Sequence, residues 1–230
     1  DGTFNVMEAC KEFKVKKLIY TASSSCYGIP KKYPTRETEI LDCKYPYSLT
    51  KQMGEDLVLH WGKVYKLKVI SLRFFNIYGE RSRTSGTYGA MFGIFLAQKI
   101  KNKSYTVVGN GKQKRDFTYV SDIVEAIIKA SRLKKDQLVL NIGSGKCFSV
   151  NYITKLLGGP KTYIPKRPGE PNITWANIDK AKKILNWKPK ISIEVGVKIL
   201  LANISLWRSA PIWDKKKIKI ATKDWFKYLK

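Results

Sequence analysis

The chain has 230 residues, 43% hydrophobic and 12% aromatic, which excludes a disordered or low-complexity protein and leaves apolar material for one large or two small cores. Its 44 lysines and arginines against 18 acids give a formal charge of +26, spread along the chain rather than gathered in one arm. No zinc-finger spacing, RNA-binding aromatic signature or basic region with heptads accompanies that charge, so no nucleic-acid partner is expected, whereas attraction of an anionic small molecule is.

Residues 1–11 read as a helix already under way, with Val6, Ala9, Cys10 and Phe13 on one apolar face. There is no initiator methionine, and the chain is expected to begin inside a domain. Residues 16–23 read as a strand, 28–46 as a loop marked by Pro30, Pro34 and Pro46, 47–65 as a helix, and 68–75 as a buried strand. A polar loop over 79–89 precedes a helix over 90–101. Residues 105–108 form a short strand closed by Gly109-Asn-Gly111, and 115–120 another. A helix over 122–132 takes Ser121 as its N-cap. A strand over 138–142 runs into Gly143-Ser-Gly145, followed by a helix over 151–157. Beyond Tyr163 come an irregular basic loop over 164–171, helices over 179–185 and 191–207, and an amphipathic tail over 210–230. The tail aromatics Trp213, Trp225, Phe226 and Tyr228 are expected to pack on the body or on a partner subunit. Alternating strands and helices predict an α/β fold, a parallel sheet with helices on both faces.

The cysteines at 10, 26, 43 and 147 have neither Cys-x-x-Cys pairing nor histidines at metal spacing. No apolar run reaches membrane-span length, and no signal-peptide pattern opens the chain. A reduced, cytoplasmic protein is expected, with no metal site and no membrane association.

Tyr47 and Lys51 stand four residues apart at the head of a helix, on one face. An ammonium beside a phenol favours the phenolate, which suits the tyrosine to take a proton near neutral pH. The same spacing also arises as a solvent-facing pair. Upstream, the first strand runs into Ser23-Ser24-Ser25. These hydroxyls sit at the carboxyl end of a parallel strand, the edge where open α/β sheets bind ligands; the alternative is a polar turn.

Four further motifs follow in order: Leu72-Arg-Phe-Phe-Asn-Ile-Tyr-Gly79, Arg115-Asp-Phe-Thr-Tyr-Val-Ser-Asp122, Asn141-Ile-Gly-Ser-Gly145 and Pro165-Lys-Arg-Pro-Gly-Glu170. With the serine run and the Tyr47–Lys51 pair, they cover nearly the whole chain. The set resembles the NAD-dependent sugar epimerase/dehydratase group of the extended short-chain dehydrogenase/reductase superfamily. The resemblance implies the C-terminal part of a Rossmann-like doubly wound parallel sheet, over 1–80 and 117–142. It adds a smaller α/β nucleotide-sugar-binding domain, over 81–116 and 143–230, with a helical tail. It also implies NAD as cofactor, a nucleotide-diphosphate sugar as substrate and a homodimer. Ser23, Tyr47 and Lys51 would be catalytic; the same three with Phe75 would hold the cofactor. Ser24, Asn76, Thr106, Val108, Arg115, Arg167 and Glu170 would hold the substrate, the two arginines on its diphosphate. Arg81 and Arg83 read as solvated, and His60 as structural.

Two departures narrow the expectation. Dehydratases of the group carry an Asp-Glu pair after the active-site Ser/Thr, where this chain has Ser24 and Ser25. Without those acids the resemblance points to a 4-epimerase of the UDP-glucose/UDP-galactose type. The alternatives are a UDP-glucuronate 4-epimerase, another dehydratase, decarboxylase or reductase, or a noncatalytic basic binding module. The family's glycine-rich pyrophosphate turn would lie ahead of Asp1. The chain is therefore expected to be the C-terminal part of a longer enzyme and to bind NAD poorly alone.

Overall fold

The computed structural model describes residues 1–86 and 91–229; part of the predicted 79–89 loop, and Ala90, lie outside the described residues. In chain order the elements are α1 (Gly2–Glu12), β1 (Lys17–Ser23), α2 (Pro46–Tyr65), β2 (Lys68–Phe74), β3 (Asn76–Tyr78), α3 (Met91–Ile100), β4 (Tyr105–Val108), β5 (Lys114–Arg115), β6 (Phe117–Tyr119), α4 (Val120–Arg132), β7 (Leu138–Ile142), β8 (Phe148–Ser149), α5 (Val150–Leu157), β9 (Lys161–Ile164), α6 (Asp179–Leu185), α7 (Ile193–Ala202), α8 (Lys215–Ala221) and α9 (Lys223–Tyr228).

The strands β1, β2 and β7 form a parallel sheet in that order. The central strand β2 reads Val69-Ile-Ser-Leu-Arg73 and is buried along that whole run, as a parallel strand covered on both faces requires. Ser23 pairs with Phe74, and Phe74 with Ile142. The three strands therefore end level, and the segments that leave them open on one edge. The parallel pairs β3–β6 and β4–β9 and the antiparallel pair β5–β8 build the opposite wall.

The two largest of the hydrophobic clusters follow this division. One places Ile70, Leu72, Leu140 and Ile142 of the sheet against α4, α6 and Trp187. The other gathers Tyr78, Phe92, Phe95, Tyr105, Phe117 and Tyr119 with α5, α7 and Trp207. At roughly 25 cal/mol per Å2 of apolar surface removed from water, Trp187 and Trp207, the largest fully buried side chains, contribute most to their cores.

Several local expectations are corrected. On α1, Met7 and Cys10 are buried, while Val6 and Phe13 are 52% and 76% exposed. The helix is turned because it meets α2 through Met7 and Cys10 and accepts a 2.8 Å bond from Trp61 Nε1 on Glu8. Ser121 lies inside α4, whose N-cap is Tyr119 with no side-chain cap bond. The strand expected over 115–120 breaks at Asp116 into β5 and β6. The helix expected over 191–207 stops at Ala202 and resumes as a 3-10 turn, Ile204–Trp207.

Helix α2 presses close to β1 at Gly54, where a Cβ would lie 2.1 Å from the Tyr20 hydroxyl. One residue on, Glu55 turns inward at 1% exposure. Its carboxylate accepts from Ser71 Oγ at 2.6 Å and from Arg73 Nε at 3.1 Å to both oxygens. Arg73 Nη1 donates to the Tyr27 hydroxyl at 2.9 Å, and Tyr27 donates to Asn141 Oδ1 at 2.8 Å. Burial alone would depress the Arg73 guanidinium, but the Glu55 carboxylate and Tyr27 hydroxyl bonded to it hold it above its ordinary value. Breaking a buried pair from one side leaves an uncompensated charge. Arg73→Ala or Glu55→Ala is therefore expected to cost about 3–5 kcal/mol each in urea denaturation. The apolar double variant Glu55→Leu/Arg73→Met is expected to lose less than either alone; losses that simply add would show that the two do not act as a pair.

Candidate active site

The level ends of β1 and β2 floor a cleft of about 540 Å3. Every residue expected at the site lines it. Ser23, Ser24, Tyr47, Lys51, Phe75 and Asn76 stand along the sheet edge; Thr106, Val108, Arg115, Arg167 and Glu170 stand on the opposite wall.

At the sheet edge, Ser23 ends β1 and caps the 3-10 turn Ser24–Tyr27. Its Oγ accepts from Ser25 N at 3.2 Å and from Ser25 Oγ at 2.8 Å. Two acceptances commit the oxygen lone pairs and leave the hydroxyl hydrogen as the donor. The turn closes at Gly28, with φ +59° and a Cβ position 2.0 Å from Asp42 O, a place only glycine fits. Tyr47 and Lys51 share the first turns of α2, which Pro46 opens and Ser48 secures, its Oγ accepting the Tyr45 N–H at 3.3 Å and donating to Tyr45 O at 2.7 Å. Lys51 Nζ donates to Thr21 O at 3.0 Å, fixing the ammonium beside the end of β1. Phe75 is buried with its ring 6.4 Å from Tyr27, and its N–H donates to Ile142 O. Asn76 Oδ1 accepts from Thr174 Oγ1 at 2.8 Å.

On the opposite wall, Thr106 is committed to Gln98, donating its N–H to Gln98 Oε1 and accepting Gln98 Nε2 at Oγ1. Val108 O accepts from Gln113 Nε2 at 2.8 Å. Arg115 and Arg167 converge on Glu170: Arg167 Nη1 lies 3.1 Å from Oε1 and Arg115 Nη2 4.0 Å from Oε2. Burial pulls the Arg115 guanidinium below its ordinary value, with Glu170 opposing. Two cations over one carboxylate leave a net positive, partly desolvated spot suited to an anion.

Four supporting residues escaped the sequence reading: Tyr27, Glu55, Arg73 and Asp116. Asp116 is fully buried. Its Oδ1 accepts from Ser144 N and Oγ at 2.6 and 2.7 Å, and its Oδ2 from Gly145 N and Ala176 N at 3.1 and 3.0 Å. Its backbone carbonyl accepts the Asn76 N–H at 2.9 Å. The signal available was an acid beside Arg115 in a run otherwise readable as a strand.

The profile of the NAD dependent epimerase/dehydratase family matches residues 1–143. A putative UDP-glucose 4-epimerase of Methanocaldococcus jannaschii is 33% identical over 204 residues, 86% of this chain and 66% of that protein. The UDP-glucuronate 4-epimerase of Thermodesulfobacterium geofontis is 35% identical over 205 residues, 86% of this chain and 62% of its own. Among solved structures, a UDP-glucuronic acid 4-epimerase from Bacillus cereus in complex with UDP-glucuronic acid and NAD superposes with a TM-score of 0.81 at 31% identity, covering 91% of this chain and 67% of that one. The UDP-glucose 4-epimerase of Thermotoga maritima with UDP-glucose gives 0.80 at 32% identity, covering 90% and 68%. The chain thus spans between 61% and 66% of the length of the first curated relatives it matches.

Asp116→Asn turns one oxygen into an NH2 group that faces two N–H or O–H donors. It is expected to cost about 2 kcal/mol or more in denaturant titration. Burial pushes Asp116 from 3.8 up to about 6. The folded state therefore keeps a proton that the unfolded chain has lost, and the Asp116 contribution to stability falls as pH rises from about 4 to about 6. Midpoints measured across that window should lose this slope in the variant; an unchanged slope would show that Asp116 does not titrate there.

Proposed function

Because the chain belongs to the NAD dependent epimerase/dehydratase family, we propose that it works in a 4-epimerase of nucleotide-diphosphate sugars, of the UDP-glucose/UDP-galactose type. The observation that carries the reading is the cleft itself. A hydroxyl, a phenol and an ammonium line one edge, and two arginines over a carboxylate line the other. A nucleotide-diphosphate sugar has the matching polarity, with reactive hydroxyls on its sugar and a dianionic linker between the sugar and the nucleoside.

The residues at the sheet edge fit the nicotinamide end of the cofactor. The Lys51 ammonium has given one of its three donors to Thr21 O, and the remaining two suit the Tyr47 phenolate and a ribose hydroxyl. The apolar Phe75 ring suits a flat heteroaromatic face. NAD, when bound, supplies the hydride acceptor and returns the hydride. Tyr47 takes the proton of the sugar 4-hydroxyl as the C4 hydride departs, and gives it back when the hydride returns to the other face. Ser23, its lone pairs held by Ser25, donates its hydroxyl hydrogen to the developing alkoxide. Ser24 and Ser25 cannot act as carboxylic acids toward a departing hydroxyl, which supports epimerisation over loss of water. Arg115 and Arg167 would exchange Glu170 for the diphosphate, and Glu170 would turn to the nucleotide ribose. UDP-glucuronate fits the same chemistry, and the relatives of both kinds support C4 as the reacting centre.

The same reading extends to organisation. The two cores support a cofactor half over 1–80 and 117–142 and a sugar-nucleotide half over 81–116 and 143–230, although α6 and Trp187 pack with the former and Tyr78, Phe117 and Tyr119 with the latter. Exposed Phe4, Val6 and Phe13 of the α1 region and Leu49 and Met53 of α2 support burial of these helices in a homodimer. Four free cysteines support a cytoplasmic location, and no helix among the described residues is long and apolar enough to cross a membrane.

In the full-length protein, UDP-galactose or UDP-glucuronate is expected to yield its 4-epimer with no change of mass and no net use of NAD, followed by proton NMR and mass spectrometry. Tyr47→Phe is expected to lower kcat by about 10²–10⁴-fold while UDP affinity holds within about twofold. A product lighter by water or carbon dioxide, or a Tyr47→Phe variant with most of its rate, would overturn the assignment.

A further inference from the structure

The C-terminal tail is fastened to both walls of the cleft. After α7, Trp207 Nε1 donates to Ser82 O at 3.3 Å, and Lys101 Nζ to Ala210 O at 3.1 Å. Gln98 Nε2 then donates to Trp213 O at 3.0 Å. This is the amide that also holds Thr106, a cleft-lining residue, by two hydrogen bonds. Helices α8 and α9, anchored by buried Ile218 and Thr222, carry Trp225 to the other side.

There Trp225 is 8% exposed and lines the cleft. Its indole N–H donates to Pro168 O at 2.8 Å, and its ring lies 5.2 Å from that of Tyr45, the N-cap of α2 two residues before Tyr47. The Arg167 guanidinium lies over its face, 5.8 Å from the ring centroid. A guanidinium uses its face for an aromatic ring and its edge for hydrogen bonds, so the two contacts do not compete. The indole therefore lies along one side of the Arg167 guanidinium, while Nη1 meets Glu170 Oε1 in the cleft at 3.1 Å. An arginine held this way has already lost the side-chain freedom that anion binding would otherwise cost.

We propose that Trp225 is a positioning residue of the anion site: it holds the Arg167 guanidinium edge-on to a bound diphosphate, which makes α8 and α9 structural parts of that site. The inference rests on the nucleotide-diphosphate reading given above. Its consequence is selective. Trp225 acts on the phosphates through Arg167, not on the nucleoside.

The test is calorimetric titration of the full-length protein with UDP and with uridine at one fixed salt concentration. Trp225→Leu keeps an apolar side chain in the buried position and removes the π face. It is expected to weaken UDP roughly tenfold and uridine by less than about twofold. Trp225→Phe, with a weaker π face, is expected to fall between, about threefold weaker for UDP. In the Arg167→Ala background, Trp225→Leu should add no further loss for UDP. Melting curves check the fold; should Trp225→Leu not fold, Trp225→Phe with and without Arg167→Ala is read in the same way. Wild-type affinity for UDP in the Trp225 variants, equal losses for UDP and uridine, or additive losses with Arg167→Ala would overturn this inference alone. A wild-type protein that binds neither ligand would overturn the nucleotide-diphosphate reading and this inference with it.

Discussion

The buried pair of Glu55 and Arg73 is the constraint on which the site geometry depends. Glu55 lies on α2 at the third place of a four-residue series that begins Tyr47, Lys51, so whatever holds Glu55 holds the rotation and depth of the helix that presents the other two. Arg73 belongs to the central strand, and its second side-chain partner is Tyr27, at the end of the serine turn. One ion pair therefore ties the helix, the sheet and the turn to each other. Charges are taken out of water at a cost of several kcal/mol each, which is offset only when every donor and acceptor is matched. Ser71, Tyr27, the Glu37 carbonyl and Asn141 supply that match. Among the described residues no buried side-chain nitrogen or oxygen lacks a hydrogen-bond partner.

Asp116 does for the loops what Glu55 does for the helix. Its carboxylate collects the N–H groups of Ser144, Gly145 and Ala176, which come from two separate segments, and its own carbonyl holds Asn76. A strand residue would spend both backbone groups on ladder neighbours. Here the backbone N–H instead reaches Thr174 Oγ1, and this is why the predicted strand splits into β5 and β6. The break is thus part of how the far wall of the cleft is joined to the sheet edge.

Features governed by local spacing were readable from the sequence. The β1, β2 and β7 strands and the start of α2 follow from apolar runs and prolines, and the end of β1 and the four-residue interval place Ser23, Tyr47 and Lys51 along one cleft. Arg115, Arg167 and Glu170 were readable only through their motif neighbours, because 44 basic residues make any single arginine uninformative. What could not be read depends on partners distant in sequence. The buried face of α1 is set by Trp61 and α2, not by its own periodicity, since Val6, Ala9, Cys10 and Phe13 form an apolar stripe of which only Cys10 is buried. Ser121 has the composition of a cap, yet Tyr119 holds that position because Tyr119 and Phe117 are drawn into the aromatic core. Nothing local in Lys223–Tyr228 reveals that Trp225 meets Pro168, fifty-seven positions away.

The charge distribution adds a last step. Most of the +26 excess lies on exposed lysines, whose field is long-ranged and screened over about 8–10 Å at moderate salt. Such a field can raise the encounter rate of an anion but cannot orient it. Orientation requires cations whose geometry is settled before the ligand arrives, and on the far wall of the cleft Arg115 and Arg167 are held so, both by burial and by Glu170, and Arg167 also by the Trp225 ring. Glu170 lowers the cost of keeping two guanidinium groups close together without a ligand, since each would otherwise face the other partly desolvated. A dianionic group that displaces it inherits both forks at once, whereas a monoanion offers too little charge to replace Glu170 on two partners. The carboxylate that has to be displaced therefore discriminates against a monoanion as much as the two arginines favour a dianion.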